Sequence, residues 1–564
     1  MVVLARPALA LAGTAVMTIP HAGLRRTLHL LLAALVLHLV LIQPNHPDAM
    51  GWGALSVFPL ELPAILLALI ALGQTRVSGP LRAALTFVLC LIVLLKTADF
   101  ISFSALSRGF NPVADLALVD AFLRLLKGTF GGPAALAAIL GAAASLLLLA
   151  ALIWWATGVW ARVNARPVVA GLSGLAAALS GVIAAAEIGQ TMGRWTLLPF
   201  DPPGTAFTAR VGVERVEMVQ TTLSELRSFR AEAARDPFID APGLFDAIDR
   251  DVLVIFIESY GRTSFDTPFY AGLHRQTLAG YESRLAGRGL AMRSGYLTSP
   301  TRGGQSWLAH ATFANGLWVD NQIRYGAALS SGRESLFHHA ANSGFRTATV
   351  MPQITLDWPE ADRMGFETVL VAADLGYRGL PFNWVTMPDQ FTLAALDRLL
   401  RSGDDTRRLF AQVALVSSHA PWVPVPDIVP WEDIGDGTIF NAVAASGDPP
   451  EVVWRDRERI RAQYRLAVDY SLRAVLEYAL RHATEPPLMI IVGDHQAAEF
   501  IGLDERPDVP IHVIGPEPLV ARLTDAAPYP GLRPDDDATA MPMDRMRDIL
   551  LNAYFTQTDT GAVN

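Results

Sequence analysis

The first third of the chain alternates long apolar runs with short polar loops. Each of five runs is close to the ~20 residues that a helix needs to cross a bilayer. They occupy residues 27–44, 53–73, 80–98, 132–158 and 167–189. We therefore predict a membrane domain over residues 1–189 with five transmembrane helices. Between the third and fourth runs, apolar residues recur at helical spacing over 112–127, which predicts an amphipathic surface helix.

Arginines lie before the first predicted span, between the second and third, and between the fourth and fifth. The positive-inside rule places those loops in the cytoplasm. Everything after residue 190 is then predicted to be extracytoplasmic. Only the loop at 99–131, which contains Arg108, Arg124 and Lys127, disagrees with this orientation.

Three ionisable residues, Glu61, Lys96 and Glu187, fall within or at the edges of predicted spans. Such a group inside a membrane is a candidate functional group. Lys96 and Glu187 are close enough to the ends of their spans to reach the lipid head groups. We therefore expect a catalytic role for none of the three.

The hydrophobic pattern changes after a connector at residues 190–248, which contains a charged helical stretch around 213–235. Short, nearly continuous apolar runs are typical of parallel strands buried on both faces. They occur at 251–257, 347–351, 409–416, 487–492 and 510–514. Helical patterns at 389–400 and 458–482 separate some of them. Residues 249–555 are therefore predicted to form an α/β domain with a largely parallel central sheet.

Charge is divided unevenly between these parts. Of the 45 Lys/Arg and 54 Asp/Glu residues, 12 and 6 lie in residues 1–195, and 33 and 48 in the rest. The sparse charge of the first part suits lipid, and the acidic soluble part argues against nucleic-acid binding. The single cysteine, Cys90, lies in an apolar run. It excludes an intrachain disulfide or a thiolate zinc cluster.

Polar residues follow three of the predicted strands. Glu258 follows the first, Ser417-Ser418-His419 follows the third, and Gly493-Asp494-His495 follows the fourth. Ligands bind at the carboxyl ends of strands in such sheets. Glu258 with the Asp494-His495 pair predicts a site for a divalent ion that leaves a position open for a nucleophile. A structural role for His419 or for the Asp-His pair is the alternative.

A turn-rich stretch with a following helical pattern at 294–316 contains the candidate nucleophiles. Gly303 and Gly304 allow the backbone to approach an anion, and Ser306 falls in the first turn of the predicted helix. Free N–H groups and the helix dipole there favour a bound phosphate and a deprotonated hydroxyl. The alternative is that Ser306 only caps the helix.

Four short motifs, in this order, resemble the alkaline phosphatase/sulfatase superfamily. They are Glu-Ser-Tyr-Gly at 258–261, Gly-x-Ser-Trp at 304–307, Ser-His-x-Pro at 418–421 and Gly-Asp-His-Gln at 493–496. More narrowly, the chain resembles membrane-anchored phosphoglycerol and phosphoethanolamine transferases of the lipoteichoic acid synthase type. That family also has five amino-terminal spans, a surface helix and an extracytoplasmic sulfatase-like domain, so the resemblance extends over the whole chain.

The resemblance implies that Glu258, Asp494, His495 and the oxygen of the nucleophile bind one divalent metal ion, Mn²⁺ or Zn²⁺. It implies that His419 binds substrate and takes part in catalysis. Ser306 is the favoured nucleophile, because its distance in sequence to Gly316 equals that between nucleophile and helix-ending glycine in the sulfatase pattern.

Thr298 and Thr301 are the alternative nucleophiles. Trp358 stands where the synthase-like enzymes have a tryptophan, but Glu360 replaces the arginine that follows it in that family. Arg302 or Arg363 is the expected substitute. Together with His419, these residues and His310 form the predicted substrate-binding set.

The implied function is metal-dependent transfer of a phospholipid head group, phosphoglycerol or phosphoethanolamine. The phosphoryl group would pass through a covalent phospho-serine or phospho-threonine to a glycan or lipid acceptor in the cell envelope. The implied location is the bacterial inner membrane, with the catalytic domain in the periplasm. Thr298 cannot be converted to formylglycine, which argues against a sulfatase. A membrane-anchored phosphodiesterase or phosphatase and a non-catalytic envelope binding protein are the alternatives.

Overall fold

The computed structural model describes residues 21–556, except 107, 117, 120–121, 124–126, 128–130, 196, 198–199, 201, 240, 356–357, 384–385 and 404. The described chain forms two compact units. The membrane unit contains residues 21–101 and 118–218, and the second unit contains residues 102–117 and 219–556. Six of the sixteen residues of the predicted surface helix at 112–127 lie outside the described residues.

Four described helices of the first part of the chain are long and apolar enough to cross a membrane. The helices occupy His21–Ile42, Ser78–Leu106, Gly132–Ala161 and Pro167–Thr191. The second predicted span instead contains a 3₁₀ turn at Trp52–Ser56 and a 12-residue helix at Glu61–Leu72. Such a helix extends about 18 Å, less than the ~30 Å hydrocarbon core. The count of five spans therefore stays a prediction.

Glu61, Lys96 and Glu187 bond to the start of a long helix, Phe207–Ala233, which we call the connector helix. Glu61 and Glu187 accept hydrogen bonds from backbone N–H groups there at 2.9 and 3.0 Å. Lys96 Nζ donates to Thr208 Oγ1 at 2.7 Å. Carboxylates satisfy the free N–H groups of a helix N-terminus and interact favourably with its dipole. The expectation that Lys96 and Glu187 reach the head groups is wrong, because both are buried among these partners.

Among the described residues, a nine-stranded mixed sheet forms the centre of the second unit. Its strands are β1 Val252–Ile257, β2 Ala291–Thr298, β3 Arg346–Met351, β4 Thr368–Val371, β5 Leu409–Leu415, β6 Leu488–Gly493, β7 Asp508–Gly515, β8 Tyr529–Pro530 and β9 Met541–Pro542. Their order is β4-β3-β5-β1-β6-β7-β2-β8, with β9 beside β2. The strands from β4 to β6 in this order are parallel. This confirms the predicted α/β class and its largely parallel sheet.

The apolar run at 510–514 forms β7, which is antiparallel to both β6 and β2. The prediction of a parallel strand there is wrong. A parallel strand needs a crossover connection, usually with a full helix. The connection from β6 to β7 contains only one short helix, Glu499–Gly502, so the chain turns back along its neighbour.

Helices cover both faces of the sheet. The odd-numbered residues of β1 pack into one hydrophobic cluster, and Val252, Val254 and Phe256 pack into another. The α-helices of this unit after the connector helix are Thr263–Asp266, Pro268–Ala286, Ser306–Asn315, Gln322–Leu329, Leu336–Asn342, Asp389–Leu396, Asn441–Ala444, Pro450–Val453, Arg457–Arg481, Glu499–Gly502, Glu517–Val520 and Arg545–Tyr554. Burial on both faces explains why the strands appear in the sequence as continuous apolar runs.

Candidate metal centre and nucleophile

The register of the sheet brings three polar strand ends to one edge. β1 lies between β5 and β6, and Ile257 pairs with both Leu415 and Gly493. The residues that follow these three positions therefore leave the sheet at the same level. Glu258 and Asp494 are the first such residues on β1 and β6.

Glu258, Asp494 and His495 form a buried cluster, which we call the acidic cluster. His495 Nε2 lies 3.0 Å from Glu258 Oε1 and 3.8 Å from Asp494 Oδ1. One ligand atom from each of the three residues lies within 4.8 Å of the others. The Ser306 hydroxyl donates to Glu258 Oε2 at 2.9 Å. The structure thus brings together the four residues that the sequence placed around one metal ion.

The backbone before Ser306 determines where its hydroxyl points. Gln305 has a left-handed conformation with φ of 65° and is the N-cap of the helix Ser306–Asn315, the serine helix. Ser306 is the first residue inside that helix, and its hydroxyl bonds to a carboxylate. It does not accept a backbone N–H as an N-cap serine does. The capping alternative therefore does not describe its role.

Two motif glycines allow the strand-end loops to approach each other. A Cβ on Gly493 would lie 1.9 Å from the carbonyl oxygen of Tyr260, and one on Gly261 would lie 1.4 Å from Gln496 Oε1. Both distances are far inside van der Waals contact, so a larger residue would separate the loops. The sequence showed these glycines only as letters of two motifs, and the structure supplies the packing reason for them.

Burial and mutual charge shift the pKa values in the acidic cluster. Burial and the neighbouring Glu258 raise the pKa of Asp494 to about 8. Burial disfavours the charged form of His495, but the two carboxylates outweigh it and raise the pKa of His495 to about 9. Burial acts against ionised Glu258 as well, yet the charge of His495 holds the pKa of Glu258 below its usual range. Two buried carboxyl groups thus favour a cation beside them.

The donor set fits a divalent metal ion. His495 Nδ1 donates to the carbonyl oxygen of Gln496 at 3.0 Å, which leaves Nε2 directed toward the carboxyl groups. Nε2 is buried and makes no well-directed hydrogen bond with the described residues. In metal-binding histidines, one ring nitrogen typically donates to a carbonyl or carboxylate, which fixes the ring so that the other nitrogen can bind the metal. Two carboxylates, this nitrogen and the Ser306 hydroxyl match the ligands of Mn²⁺ and of Zn²⁺.

His419 lies in the loop after β5 and is exposed. Its Nδ1 donates to the carbonyl oxygen of Ala420 at 2.6 Å, so Nε2 is the nitrogen available to a substrate. The charge of His419 also acts on Glu258 and lowers the pKa of that carboxyl group. His419 therefore lies beside the acidic cluster but outside its buried part.

Asp389 holds the loop that carries His419. Its Oδ1 accepts the backbone N–H groups of Val416 and Ser417 at 2.7 and 2.8 Å. Its Oδ2 accepts the hydroxyl of Ser471 at 2.6 Å. Burial raises the pKa of Asp389. Sequence reasoning missed this role, because Asp389 appeared there only as an acidic residue at the start of a helix.

Three other predicted site residues lie shortly before Ser306 in sequence. Thr298 donates to Asp508 Oδ1 at 3.2 Å, and Thr301 donates to the carbonyl oxygen of Gly304 at 2.6 Å. Arg302 donates to the carbonyl oxygen of Glu505 at 2.5 Å. The two hydroxyl groups and the guanidinium group thus donate hydrogen bonds to partners outside the acidic cluster. The structure therefore brings Ser306, and neither threonine, into a hydrogen bond with the acidic cluster.

His310 is 2 % exposed and packs against Phe256, with their ring centres 4.1 Å apart and the rings tilted by 35°. Neither ring nitrogen has a hydrogen-bond partner among the described residues. Burial lowers the pKa of His310 to about 4, so the ring is neutral. Its role in binding substrate stays a prediction, and its surroundings are those of a core side chain.

Trp358 and Arg363 lie at the two ends of a 3₁₀ segment, Pro359–Arg363. Trp358 packs against Phe366, with ring centres 6.4 Å apart. Arg363 is exposed. Neither side chain contacts the acidic cluster in the part of the chain that the structure describes.

Neither a protein-family model nor a curated protein matches the chain. Among solved structures, the chain is similar to the lipoteichoic acid synthase LtaP from Listeria monocytogenes. The identity is 14 %, the TM-score is 0.33, and the match covers 49 % of this chain and 68 % of that one.

Two further solved structures are similar at comparable levels. One is the C-terminal periplasmic domain of the phosphoethanolamine transferase EptC from Campylobacter jejuni, with 12 % identity, a TM-score of 0.35, and coverage of 54 % of this chain and 89 % of that one. The other is the phosphoglycerol transferase GacH from Streptococcus pyogenes in complex with sn-glycerol-1-phosphate. Its identity is 11 %, its TM-score is 0.32, and the coverage is 60 % and 91 %.

Proposed function

We propose that the protein transfers a phospholipid head group, phosphoglycerol or phosphoethanolamine, to a glycan or lipid acceptor in the cell envelope. The observation that carries this proposal is the position of Ser306. Its hydroxyl stands at the N-terminus of a helix and donates to Glu258 at 2.9 Å, beside a buried cluster that fits a divalent ion. A hydroxyl so placed is arranged as an activated nucleophile rather than as a surface serine.

Glu258, Asp494 and His495 would hold the metal ion, Mn²⁺ or Zn²⁺, together with the oxygen of Ser306. When bound, such an ion withdraws charge from a phosphoryl oxygen and lowers the pKa of a hydroxyl beside it. Glu258 accepts the hydrogen bond of the Ser306 hydroxyl and so orients its lone pairs. The N–H groups of the first turn of the serine helix face any anion held in front of Ser306.

The reaction proceeds in two displacements at phosphorus. In the first, Ser306 loses its hydroxyl proton and its Oγ forms a bond to phosphorus. The bond from phosphorus to the glycerol oxygen of diacylglycerol breaks, and that oxygen takes up a proton. In the second, a hydroxyl of the acceptor attacks the phosphorus and loses its proton. The bond to Ser306 breaks, and Ser306 regains its proton. Two displacements replace one difficult step by two easier ones.

His419 is the residue that would move protons in these steps. It is exposed, and because Nδ1 bonds to the Ala420 carbonyl, Nε2 is the nitrogen available to a substrate. A histidine that protonates a leaving group or deprotonates an acceptor contributes roughly 10²–10⁴-fold to the rate. Asp389 would affect this chemistry only by holding the loop that carries His419, so it is a positioning residue.

The full chain, loaded with Mn²⁺ or Zn²⁺ and given phosphatidylglycerol or phosphatidylethanolamine, tests this proposal. We expect release of diacylglycerol from one of the two lipids. Ser306→Ala should lose that release by several orders of magnitude, because the nucleophile is removed. Thr298→Val and Thr301→Val are matched controls that remove neighbouring hydroxyl groups and should retain it. Loss of diacylglycerol release in one of the threonine variants, with release retained in Ser306→Ala, would contradict the assignment of the nucleophile.

Hydrolysis is the second candidate function, because water can take the place of the acceptor with the same residues. To separate the two, the head group of the lipid is labelled, and the location of the label after reaction is measured without and with envelope glycans. A transferase leaves the label on the acceptor, and a phosphodiesterase or phosphatase leaves it in solution. A protein that binds metal but converts neither lipid would be a binding protein, the third alternative.

A further inference from the structure

A cavity of about 580 Å³ lies within the second unit. Its walls come from the loop 299–305 before Ser306, residues 318–321, the connector helix near Thr222, and residues 108–114. We call it the connector cavity. Its volume is in the range of ~300–1,000 Å³ that small-molecule sites in proteins have.

The connector cavity shares a loop with the acidic cluster. Gln305 lines the cavity and directly precedes Ser306. Arg302 also lines it and pairs through its backbone with Gln496, the residue after His495. A molecule in this cavity therefore contacts the same loop that positions the hydroxyl of Ser306.

The charge of the walls argues against an anion. The cationic wall residues are Arg108 and Arg302, and the acidic ones are Glu225, Asp320 and Glu505. Both guanidinium groups are already bound. Arg108 makes two hydrogen bonds of 2.7 Å to Asp115, and Arg302 donates to the backbone of Glu505. A phosphate group would find no uncommitted cation among these wall residues, and it would approach a net negative surface.

An aromatic ring, a side-chain amide and a partly exposed carboxylate remain available. Trp318 is half-buried in the wall, and the side-chain amide of Gln305 makes no hydrogen bond with the described residues. Asp320 keeps a third of its side chain exposed, while its Oδ1 accepts from Asn321 Nδ2 at 2.6 Å and Arg324 lies 3.4 Å from its Oδ2. An indole face offers apolar contact to a sugar ring, and an amide and a carboxylate bind hydroxyl groups. This combination is suited to a neutral, hydroxyl-rich ligand.

The wall formed by residues 108–114 is held in place by Asn111. Its Nδ2 donates to Thr222 Oγ1 on the connector helix at 2.9 Å. Its Oδ1 accepts the backbone N–H groups of Val113 and Ala114 at 3.0 and 3.1 Å. These hydrogen bonds fix the position of this wall of the cavity.

We propose that the connector cavity binds a neutral oligosaccharide and holds the hydroxyl that accepts the phosphoryl group from Ser306. The inference rests on the proposed function, and it narrows the acceptor to a glycan. The donor head group, which carries phosphate, would then approach Ser306 from outside this cavity.

Binding of neutral oligosaccharides to the full, metal-loaded chain tests the inference. The probes are oligomers of glucose, galactose, mannose and N-acetylglucosamine, measured by calorimetry or by saturation-transfer NMR. We expect at least one series to bind, and Trp318→Ala to weaken that binding roughly three- to tenfold, the range for an aromatic contact. Trp318→Phe, which keeps an aromatic ring, should weaken it less. Thermal unfolding of each variant shows whether it is folded.

Trp431→Ala is the matched control. Trp431 lines a different cavity of about 520 Å³, together with Arg284 and Arg288. We expect this substitution to leave oligosaccharide binding unchanged. An equal effect of both tryptophan substitutions would contradict the inference.

Two further results would overturn the inference. One is that no oligosaccharide series binds to the wild-type chain. The other is that Trp318→Ala weakens the binding of sn-glycerol 1-phosphate and leaves oligosaccharide binding unchanged, which would make the cavity a site for the donor head group. Diacylglycerol release by the wild-type chain without any glycan is measured separately. Its failure would count against the proposed function and not against the cavity.

Discussion

Glu258, Asp494 and His495 place two carboxyl groups and one imidazole in a buried space next to a serine hydroxyl. Without a metal ion, the protons of this cluster balance its charge. The raised pKa values of about 8 for Asp494 and about 9 for His495 mean that both groups hold a proton at pH 7. A metal ion must displace these protons, since metal ligands bind in their deprotonated form.

Metal binding should therefore release protons. Near pH 7 we expect the release of about two protons per ion, and an affinity that rises as the pH increases. The affinity should level off above about pH 9, because both groups are then deprotonated in the metal-free protein. Calorimetric titration with Mn²⁺ in two buffers of different ionisation enthalpy measures the number of protons.

Asp494→Asn is the variant to compare in the same titration. It removes a carboxylate ligand, so we expect weaker metal binding and fewer protons released. Release of no protons by the wild-type chain at pH 7 would contradict the pKa values of the cluster.

The close packing of Gly493 predicts how a larger residue at this position changes stability. Gly493→Ala places a methyl group 1.9 Å from a backbone oxygen of Tyr260, which the chain cannot accommodate without separating β1 and β6. We expect a loss of about 1–3 kcal/mol in the free energy of unfolding, as for other overpacked sites, and weaker metal binding. Denaturant unfolding of the full chain measures the first effect.

Gly272→Ala is the matched control for that substitution. Gly272 lies in the helix Pro268–Ala286, and a Cβ there would meet no atom within 4 Å. Alanine is favoured over glycine inside a helix, so its stability should be equal or slightly higher. If Gly493→Ala behaved like Gly272→Ala, the close approach of the two loops would not matter for stability.

Among the elements, the loop after β5 depends on a single buried side chain. Asp389→Ala leaves the N–H groups of Val416 and Ser417 without their acceptor. An unsatisfied buried donor costs about 1–3 kcal/mol. We expect a loss of stability of that size and slower head-group transfer, because the loop carries His419. Metal affinity should stay close to that of the wild type, since the acidic cluster lies on β1 and β6.

Asp389→Asn separates the role of the carboxyl oxygen from that of its charge. The amide oxygen can still accept both N–H groups, and Ser471 can accept from the amide nitrogen. Because burial already raises the pKa of Asp389, a neutral side chain suits the site. We expect this variant to recover most of the stability and transfer rate. A defect as large as that of alanine would show that the charge itself is required.

The predicted and observed strands show how much of the fold can be predicted from the sequence alone. Strands buried on both faces appear as apolar runs. The sequence therefore predicts β1, β3, β5 and β6 within about one residue of their observed ends. Polar residues directly after these runs identified the acidic cluster. The antiparallel direction of β7 was not predictable from its own residues, because it depends on the length and shape of the preceding connection.

Other features depend on contacts between distant parts of the chain. The bonds of Asp389 to the loop after β5 and of Glu61 to the connector helix join residues 27 or more positions apart. No local pattern marks such pairs. The second predicted span has the hydropathy of a transmembrane helix, yet only Glu61–Leu72 is α-helical there. Hydropathy measures how apolar a segment is and not where its helix begins.

For the whole molecule, the proposed function links the membrane helices to a lipid donor. A donor confined to the same bilayer reaches the enzyme at a high effective concentration. In mixed micelles, the rate of diacylglycerol release should therefore follow the surface fraction of the lipid. Dilution of the lipid with detergent, at constant bulk concentration, should lower the rate. A water-soluble phosphodiester serves as control and should react at an unchanged rate.

A rate that follows the bulk lipid concentration at every surface fraction would contradict this account of the membrane helices. It would favour an enzyme that acts on soluble esters. The distinction concerns the whole chain, because neither the acidic cluster nor the serine helix selects between a lipid and a soluble diester.

The most direct test of the central claim is the mass of the peptide that contains Ser306. The full chain is loaded with Mn²⁺ or Zn²⁺, mixed with the phospholipid that it cleaves, quenched in acid and digested. We predict a glycerophosphate or ethanolamine-phosphate adduct on Ser306 that is absent from Ser306→Ala. Diacylglycerol release by the wild-type chain with no adduct on Ser306, or with the adduct on Thr298 or Thr301, would contradict the account.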